Sequence, residues 1–177
     1  MVLWSAIATA MTDPRHRHSR AGQALPEFAL VLPLLLLIFF AIVQFGVLLS
    51  ANIGLTNAVR EVARYGSTIP TSDGSPTPGV EAYLVDTALP RNVPTYGPSH
   101  LAASSVSYCR YQDTSGAYSV RLTISVTYDH PLFVPLVNVI LDSIDGTADG
   151  AFRLVSSEAM RVENPPLNSP PSLPACP

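Results

Sequence analysis

Four groups of residues in this chain could do chemistry, and each points to a different kind. In the stretch AGQALPEF, Gly22 stands five residues before Glu27, and Glu27 borders an apolar run, Phe28 to Val43, that has no charged side chain. A carboxylate in or near hydrocarbon costs several kcal/mol at most depths and less at the interface, so Glu27 calls for a cationic partner. Cys109 and Cys176 could form a disulfide. Asp142, Asp145 and Asp149, spaced among glycines in DSIDGTADG, supply oxygens of the kind that bind calcium. His130 follows Asp129, two members of a catalytic triad in type.

The last two groups do not survive their spacing. The aspartates do not follow the D-x-D-x-D-G order and lack the later Glu of a calcium loop, so they read as a solvated turn. No G-x-S-x-G elbow accompanies His130, and no cysteine lies near a histidine in sequence. His130 therefore reads as a structural residue at a strand end, and His100 as a loop residue. There is no phosphate-binding loop and no G-x-G-x-x-G. The sequence predicts no enzyme, no metal site and no cofactor.

The elements that must hold Glu27 are legible in the composition. The 177 residues are 47% hydrophobic and only 13% charged, with a net charge of −3. Most of the apolar excess lies in residues 28–51, where Gln44 and Ser50 are the only polar side chains. A membrane helix needs about 20 apolar residues, so this run is long enough to span. It is too long for a secretory signal core. Pro33 inside it is tolerated in a membrane helix.

Arg15, Arg17 and Arg20 precede the run, with His16 and His18 beside them and only Asp13 against them. Short basic segments mark the cytoplasmic side, so the expected topology is N-terminus inside and C-terminal bulk outside. From Gln23 onward seven Arg face twelve acids, a formal charge of −5. No basic stripe follows the span, which argues against nucleic acid as a partner. Residues 1–10 look out of place, and Met11 is a plausible alternative start.

Beyond the span the helical pattern continues through NIGLTNAVREVARYGS. Ile53, Leu55, Ala58, Val59, Val62 and Ala63 form an apolar side, with Gly66 as a helix-ending residue. A helix from about Glu27 to Tyr65 would be roughly 58 Å long at 1.5 Å per residue. Its outer half needs a cover for its apolar stripe. Gly46 and Gly54 offer places where another helix could approach closely. Arg60, Glu61 and Arg64 are surface charges or contacts to a neighbouring subunit.

Residues 67–79 read as a loop, 80–89 as a short amphipathic helix ended by Pro90, and 91–100 as loop. Residues 104–112 and 118–130 alternate as strands around a turn at 113–116. In the second strand Val120, Leu122, Ile124, Val126 and Tyr128 share one face, which the long helix would cover. Residues 131–144 are a short helix or a loop under the sheet, 151–163 a third strand, and 165–177 an extended or disordered Pro-rich tail. The fold class is α+β: a long N-terminal helix, its lower half in the membrane, packed on a small antiparallel sheet. The boundaries are a leader at 1–22, the helix at 23–66, the outer domain at 67–163 and the tail at 164–177. Both cysteines fall on the outer side, where a disulfide persists. A Cys109–Cys176 bridge would tie down the tail; unpaired thiols or a crosslink between chains are the alternatives.

Gly22-Gln23-Ala24-Leu25-Pro26-Glu27-Phe28 reads G-x-x-x-x-E-F behind a basic leader. It resembles the processing signature of type IV pilin-like proteins, in the form found in tight-adherence (Tad) pilins. From Arg20 to Tyr65 the chain resembles the TadE-like pseudopilins, through this site, the Leu-rich span with its Pro, and the run N-x-V-R-E-x-A-R-Y-G at 57–66. The remainder, including the ending Glu158 to Glu163, resembles them only in outline.

The resemblance implies a minor pilin or pseudopilin with a pilin-like fold, in the inner membrane and then in a surface filament. A prepilin peptidase would cut between Gly22 and Gln23 on the cytoplasmic side. Glu27 and Phe28 would then serve recognition and assembly. The implied partners are the peptidase, other pilins and pseudopilins, Tad inner-membrane assembly proteins and lipid. The rival reading is an uncleaved, signal-anchored accessory protein. In that case Glu27 is there because the helix dipole favours it, and Pro26 because it suits a first helical turn.

Overall fold

The structure is a computed structural model and describes residues 24–68, 77–146, 149–163 and 171–177. These residues fall into two compact units divided between Leu36 and Leu37. In the first, residues 24–36 are helical, with Leu25, Phe28, Leu30, Val31, Leu34, Leu35 and Leu36 exposed. Both units contribute to one uninterrupted helix, α1 (Ala24–Thr68). Pro26 sits in its first turn, where no N–H is required. Pro33 leaves the Ala29 carbonyl without its usual donor, and the helix continues past it.

In the second unit α1 changes character. Gln44, Leu48, Ala51, Leu55, Ala58, Val59, Val62, Ala63 and Gly66 are all buried. Their steps of three and four place them along one side of a helix. This stripe forms the main core with the inner face of the sheet. The cover expected for the outer half of the helix is therefore the sheet itself.

The sheet is antiparallel, in the order β1 (Leu101–Gln112), β2 (Tyr118–Pro131), β3 (Ala151–Arg161). β1 begins three residues earlier than the sequence suggests. On β2, Val120, Leu122, Ile124, Val126 and Tyr128 are each at most 1% exposed, and the alternation of the sequence carries through the strand. The register lines up Tyr108, Leu122 and Met160, and Val106, Ile124 and Glu158, as rows across the sheet. The β1–β2 turn is held by Asp113 Oδ1, which accepts the N–H of Ser115 at 2.9 Å and of Ala117 at 3.1 Å.

Between α1 and β1 lie α2 (Val80–Tyr83), a π-helical turn (Leu84–Ala88), α3 (Leu89–Asn92) and a 3₁₀ turn (Pro98–His100). Pro90 was expected to end this helical run and does not. It cannot donate to the Asp86 carbonyl, but the turn just before it is widened, with the Leu89 N–H bonded to the Leu84 carbonyl. Pro90 thus falls at the start of a fresh α turn, where its missing donor costs nothing. Between β2 and β3, α4 (Pro135–Asp145) resolves the helix-or-loop choice for that segment.

Gly66 also departs from expectation. It lies inside α1, buried, two residues before the helix ends. A Cβ there would lie 2.6 Å from Leu122 Cδ2, so the glycine serves close packing of helix on sheet rather than termination.

Candidate processing and assembly segment

Gly22 and Gln23 lie outside the described residues, as do residues 1–20. Glu27 is in the first turn of α1, exposed, with Phe28 60% exposed beside it. Among the described residues no cation lies within ion-pair distance of Glu27. The helix dipole favours a carboxylate at this end. The helix from Leu25 onward is long and apolar enough to cross a membrane, and its most apolar 18-residue window is only 6% buried. A core helix of a soluble protein would be mostly covered. The helix fits a single-pass membrane anchor.

The outer part of the 57–66 run is engaged within the chain. Glu61 Oε1 accepts the Tyr83 hydroxyl at 2.8 Å, and Oε2 accepts Asn92 Nδ2 at 2.8 Å. Arg91 lies 3.7 Å from Oε1. The Asn92 bond, then the Tyr83 bond, hold the Glu61 carboxyl below its ordinary range, with Arg91 assisting against partial burial. The same contact raises the Tyr83 phenol. Tyr65 stacks on Tyr83 with ring centroids 4.4 Å apart. Arg60 reaches Glu158 on β3 at 3.5 Å. Among the described residues no carboxylate pairs with Arg64.

The two glycines singled out for close approach differ. Gly46 is exposed, and a Cβ there would meet nothing within 4 Å. Gly54 is buried against the end of α3, where a Cβ would fall on the Asn92 carbonyl oxygen.

Cys109 and Cys176 are joined by a disulfide. The tail is also stitched to β1 by backbone: Arg110 N–H to the Pro174 carbonyl at 2.8 Å, and Cys176 N–H to the Arg110 carbonyl at 2.9 Å. Arg110 Nη1 donates to the carbonyls of Pro171 and Leu173 at 2.9 and 2.7 Å. Pro-rich chain has few N–H donors, and the Arg110 guanidinium supplies them from the other side. Residues 171–177 are therefore docked, not loose.

Asp142 and Asp145 belong to α4, and Asp149 Oδ1 accepts the Ala151 N–H at 3.0 Å. His130 is fully buried, with Nε2 3.4 Å from Thr95 Oγ1, and burial lowers its pKa. An open cavity of about 340 Å³ lies among Thr77, Val80, Glu81, Val106, Tyr108 and Leu173.

Two contacts were missed from sequence. One is the Arg110 clamp, which gives no local signal. The other is Gln44, whose Oε1 accepts the Phe133 N–H at 2.9 Å. Its signal was present: a lone amide in an apolar run should have a partner.

The model of the TadE-like protein family matches residues 22–64. The matched segment thus starts at the glycine of G-x-x-x-x-E-F and ends within the helix that packs on the sheet. No curated protein and no solved structure matches the chain.

Proposed function

We propose that this chain is a minor pilin or pseudopilin of a tight-adherence machine, made as a precursor and cut between Gly22 and Gln23 by a prepilin peptidase. The observation that carries the reading is the TadE-like match at 22–64, which takes in both Gly22 and an exposed Glu27 in the first turn of a span-length helix. The TadE-like family is one of pilus components rather than enzymes.

The chemistry follows from the residue types. A glycine at the cut site has no side chain, so an extended backbone can lie close to a protease. The basic residues before it hold that end on the cytoplasmic side of the inner membrane, with the sheet outside. Cleavage creates an amine on Gln23. Cyclisation of Gln23 would remove that amine, and N-methylation would preserve it. An amine on one subunit and Glu27 on the next would neutralise each other inside the filament. Such a pair is a poor source of net stability but a strong register device, because leaving either member alone in hydrocarbon is costly. Gly46 and Phe28, exposed on the same helix, are offered to neighbouring subunits. The partners are then the peptidase, other pilins and pseudopilins, and the inner-membrane assembly proteins.

The test is the intact mass and N-terminal sequence of the membrane-extracted chain, with and without the peptidase, with Gly22→Ala as control. A chain that begins at Gln23 only when peptidase and Gly22 are both present supports the reading. A leader retained in every condition leaves an uncleaved anchored accessory protein.

A further inference from the structure

We propose that residues 132–145, the loop after β2 together with α4, form a membrane-surface element. Phe133, Ile140 and Ile144 would insert among lipid chains of the outer leaflet. The inference rests on the membrane-anchor reading of α1 and adds a second lipid contact, made by the outer domain.

The first observation is where this segment attaches. About 20 residues of helix fill the hydrocarbon. Counted from Phe28, they end near Val47. Ala41 and Gln44 fall inside that count, and they are the residues the segment packs on. Leu132, Val137 and Leu141 form a buried cluster that includes Ala41 at its edge. The Phe133 N–H is bonded to Gln44, which is 2% exposed. The segment therefore sits at the level where α1 itself exposes Ile42, Val43 and Phe45.

The second observation is the shape of its apolar surface. Val137 and Leu141, four residues apart, face the protein. Ile140 and Ile144, also four apart and next to them around the helix, are 55% and 70% exposed. Phe133 is 58% exposed just before the helix. The apolar stripe is wider than the protein covers, and its covered part packs at Ala41 and Gln44, beside the positions where α1 exposes Ile42, Val43 and Phe45. Lipid is the occupant that this continuity selects.

The third observation is the backbone. Irregular chain near hydrocarbon is tolerated only where its polar groups are satisfied internally. The Leu132 N–H bonds to the Gly150 carbonyl at 2.9 Å, and the Phe133 N–H to Gln44. The Leu132 carbonyl accepts Asn138 Nδ2 at 3.2 Å, and the Val134 carbonyl accepts the Asn138 N–H at 2.9 Å. Pro135 then opens α4 without a donor to satisfy.

The full chain, whose cysteines are both in the disulfide, takes an environment-sensitive fluorophore at one introduced thiol: Ile140→Cys, Ile144→Cys, Ile38→Cys or Val155→Cys. Each is reconstituted in phosphatidylcholine nanodiscs, one chain per disc, with and without doxyl-labelled phosphatidylcholine. The expected result is loss of most emission at 38, 140 and 144, and none at 155, an exposed apolar residue on β3. Quenching at 38 without quenching at 140 and 144 overturns this inference and leaves the anchor intact. No quenching at 38 overturns the anchor reading and this inference with it. In a parallel reconstitution at several chains per disc, labels at 140 and 144 that shift there and not at one chain per disc mark a second copy as the occupant, and also overturn it.

Discussion

The Tyr83 hydroxyl donates to Glu61 Oε1 at 2.8 Å, and that bond fastens α2 to the long helix. Glu61 holds Asn92 at the far end of the same helical run with its other oxygen. One carboxylate thus pins both ends of the run to α1.

Glu61→Ala strands both donors. Hydrogen bonds to a charged group contribute about 1.5–3 kcal/mol when well shielded. The Glu61 side chain is 31% exposed, so a loss of about 1–2 kcal/mol is expected. Tyr83→Phe removes one bond and costs less. Thermal unfolding of the full chain in detergent measures both. The folded-state pKa of Glu61 lies below its ordinary value of 4.5. Its contribution is therefore complete above that value and is lost as pH falls through the folded value. Glu61→Gln should flatten that acid limb; an unchanged limb would mean Glu61 is not its source.

A second limb lies nearer neutrality. Burial lowers the His130 pKa from 6.5, so the unfolded chain takes up a proton before the folded one. Stability is full above pH 6.5 and declines as pH falls below it towards the folded value, by up to about 1.4 kcal/mol per pH unit. His130→Gln removes this dependence. The readout is the slope of stability against pH, which separates titration from any packing change.

The two helix glycines should part company. Gly54→Ala puts a methyl on the Asn92 carbonyl oxygen. That contact is backbone and cannot swing away, so a loss of about 1–3 kcal/mol is expected. Gly46→Ala meets nothing within 4 Å and should gain about 0.5–1 kcal/mol from helix propensity. Unfolding midpoints of the two variants give the comparison. If Gly46→Ala is stable but blocks filament formation, the open face at Gly46 is a subunit contact.

What the sequence revealed and what it hid divide along physical lines. Period-two alternation located β2 and its core face, because every second side chain must be buried or the strand has no core. The three-to-four spacing of Leu55, Ala58, Val59, Val62 and Ala63 marked the buried side of α1 for the same reason, whereas Ile53, expected on that side, is exposed. Gly66 and Pro90 were read as punctuation from local preference. Tertiary packing overrode it: Leu122 needs the space at Gly66, and a π turn absorbs Pro90. The roles of Glu61 and Arg110 depend on partners 22 to 63 residues away, which no local pattern encodes. The Glu27 site is legible as a motif only, since its proposed partner belongs to another subunit.

The Cys109–Cys176 bridge closes a loop with a sequence separation of 67. Cross-links of this kind contribute about 2–4 kcal/mol. Cys176→Ser should lower stability by that order, and the Arg110 contacts should then hold the tail only partly. Limited proteolysis between β3 and the C-terminus, with and without reductant, reads the release. Cleavage that is equally slow in both would mean the backbone stitching suffices.

Glu27 gives the prediction on which assembly turns. It is exposed at the helix start with no described cation beside it, so its removal should leave the fold of the outer domain unchanged. Glu27→Ala is expected to be inserted in the membrane and cleaved after Gly22 at the normal rate, because Gly22 and the basic leader remain. It should then fail to enter filaments, because nothing pairs with the new amine on the neighbouring subunit. Glu27→Gln should fail similarly, since an amide keeps the shape but not the charge. Glu27→Asp, shorter by one methylene, should assemble in part. Blotting of sheared filaments against membrane fractions measures the partition. Filaments that incorporate Glu27→Ala as well as the native chain would remove charge pairing from the mechanism and leave the dipole at the helix start as the reason for the carboxylate.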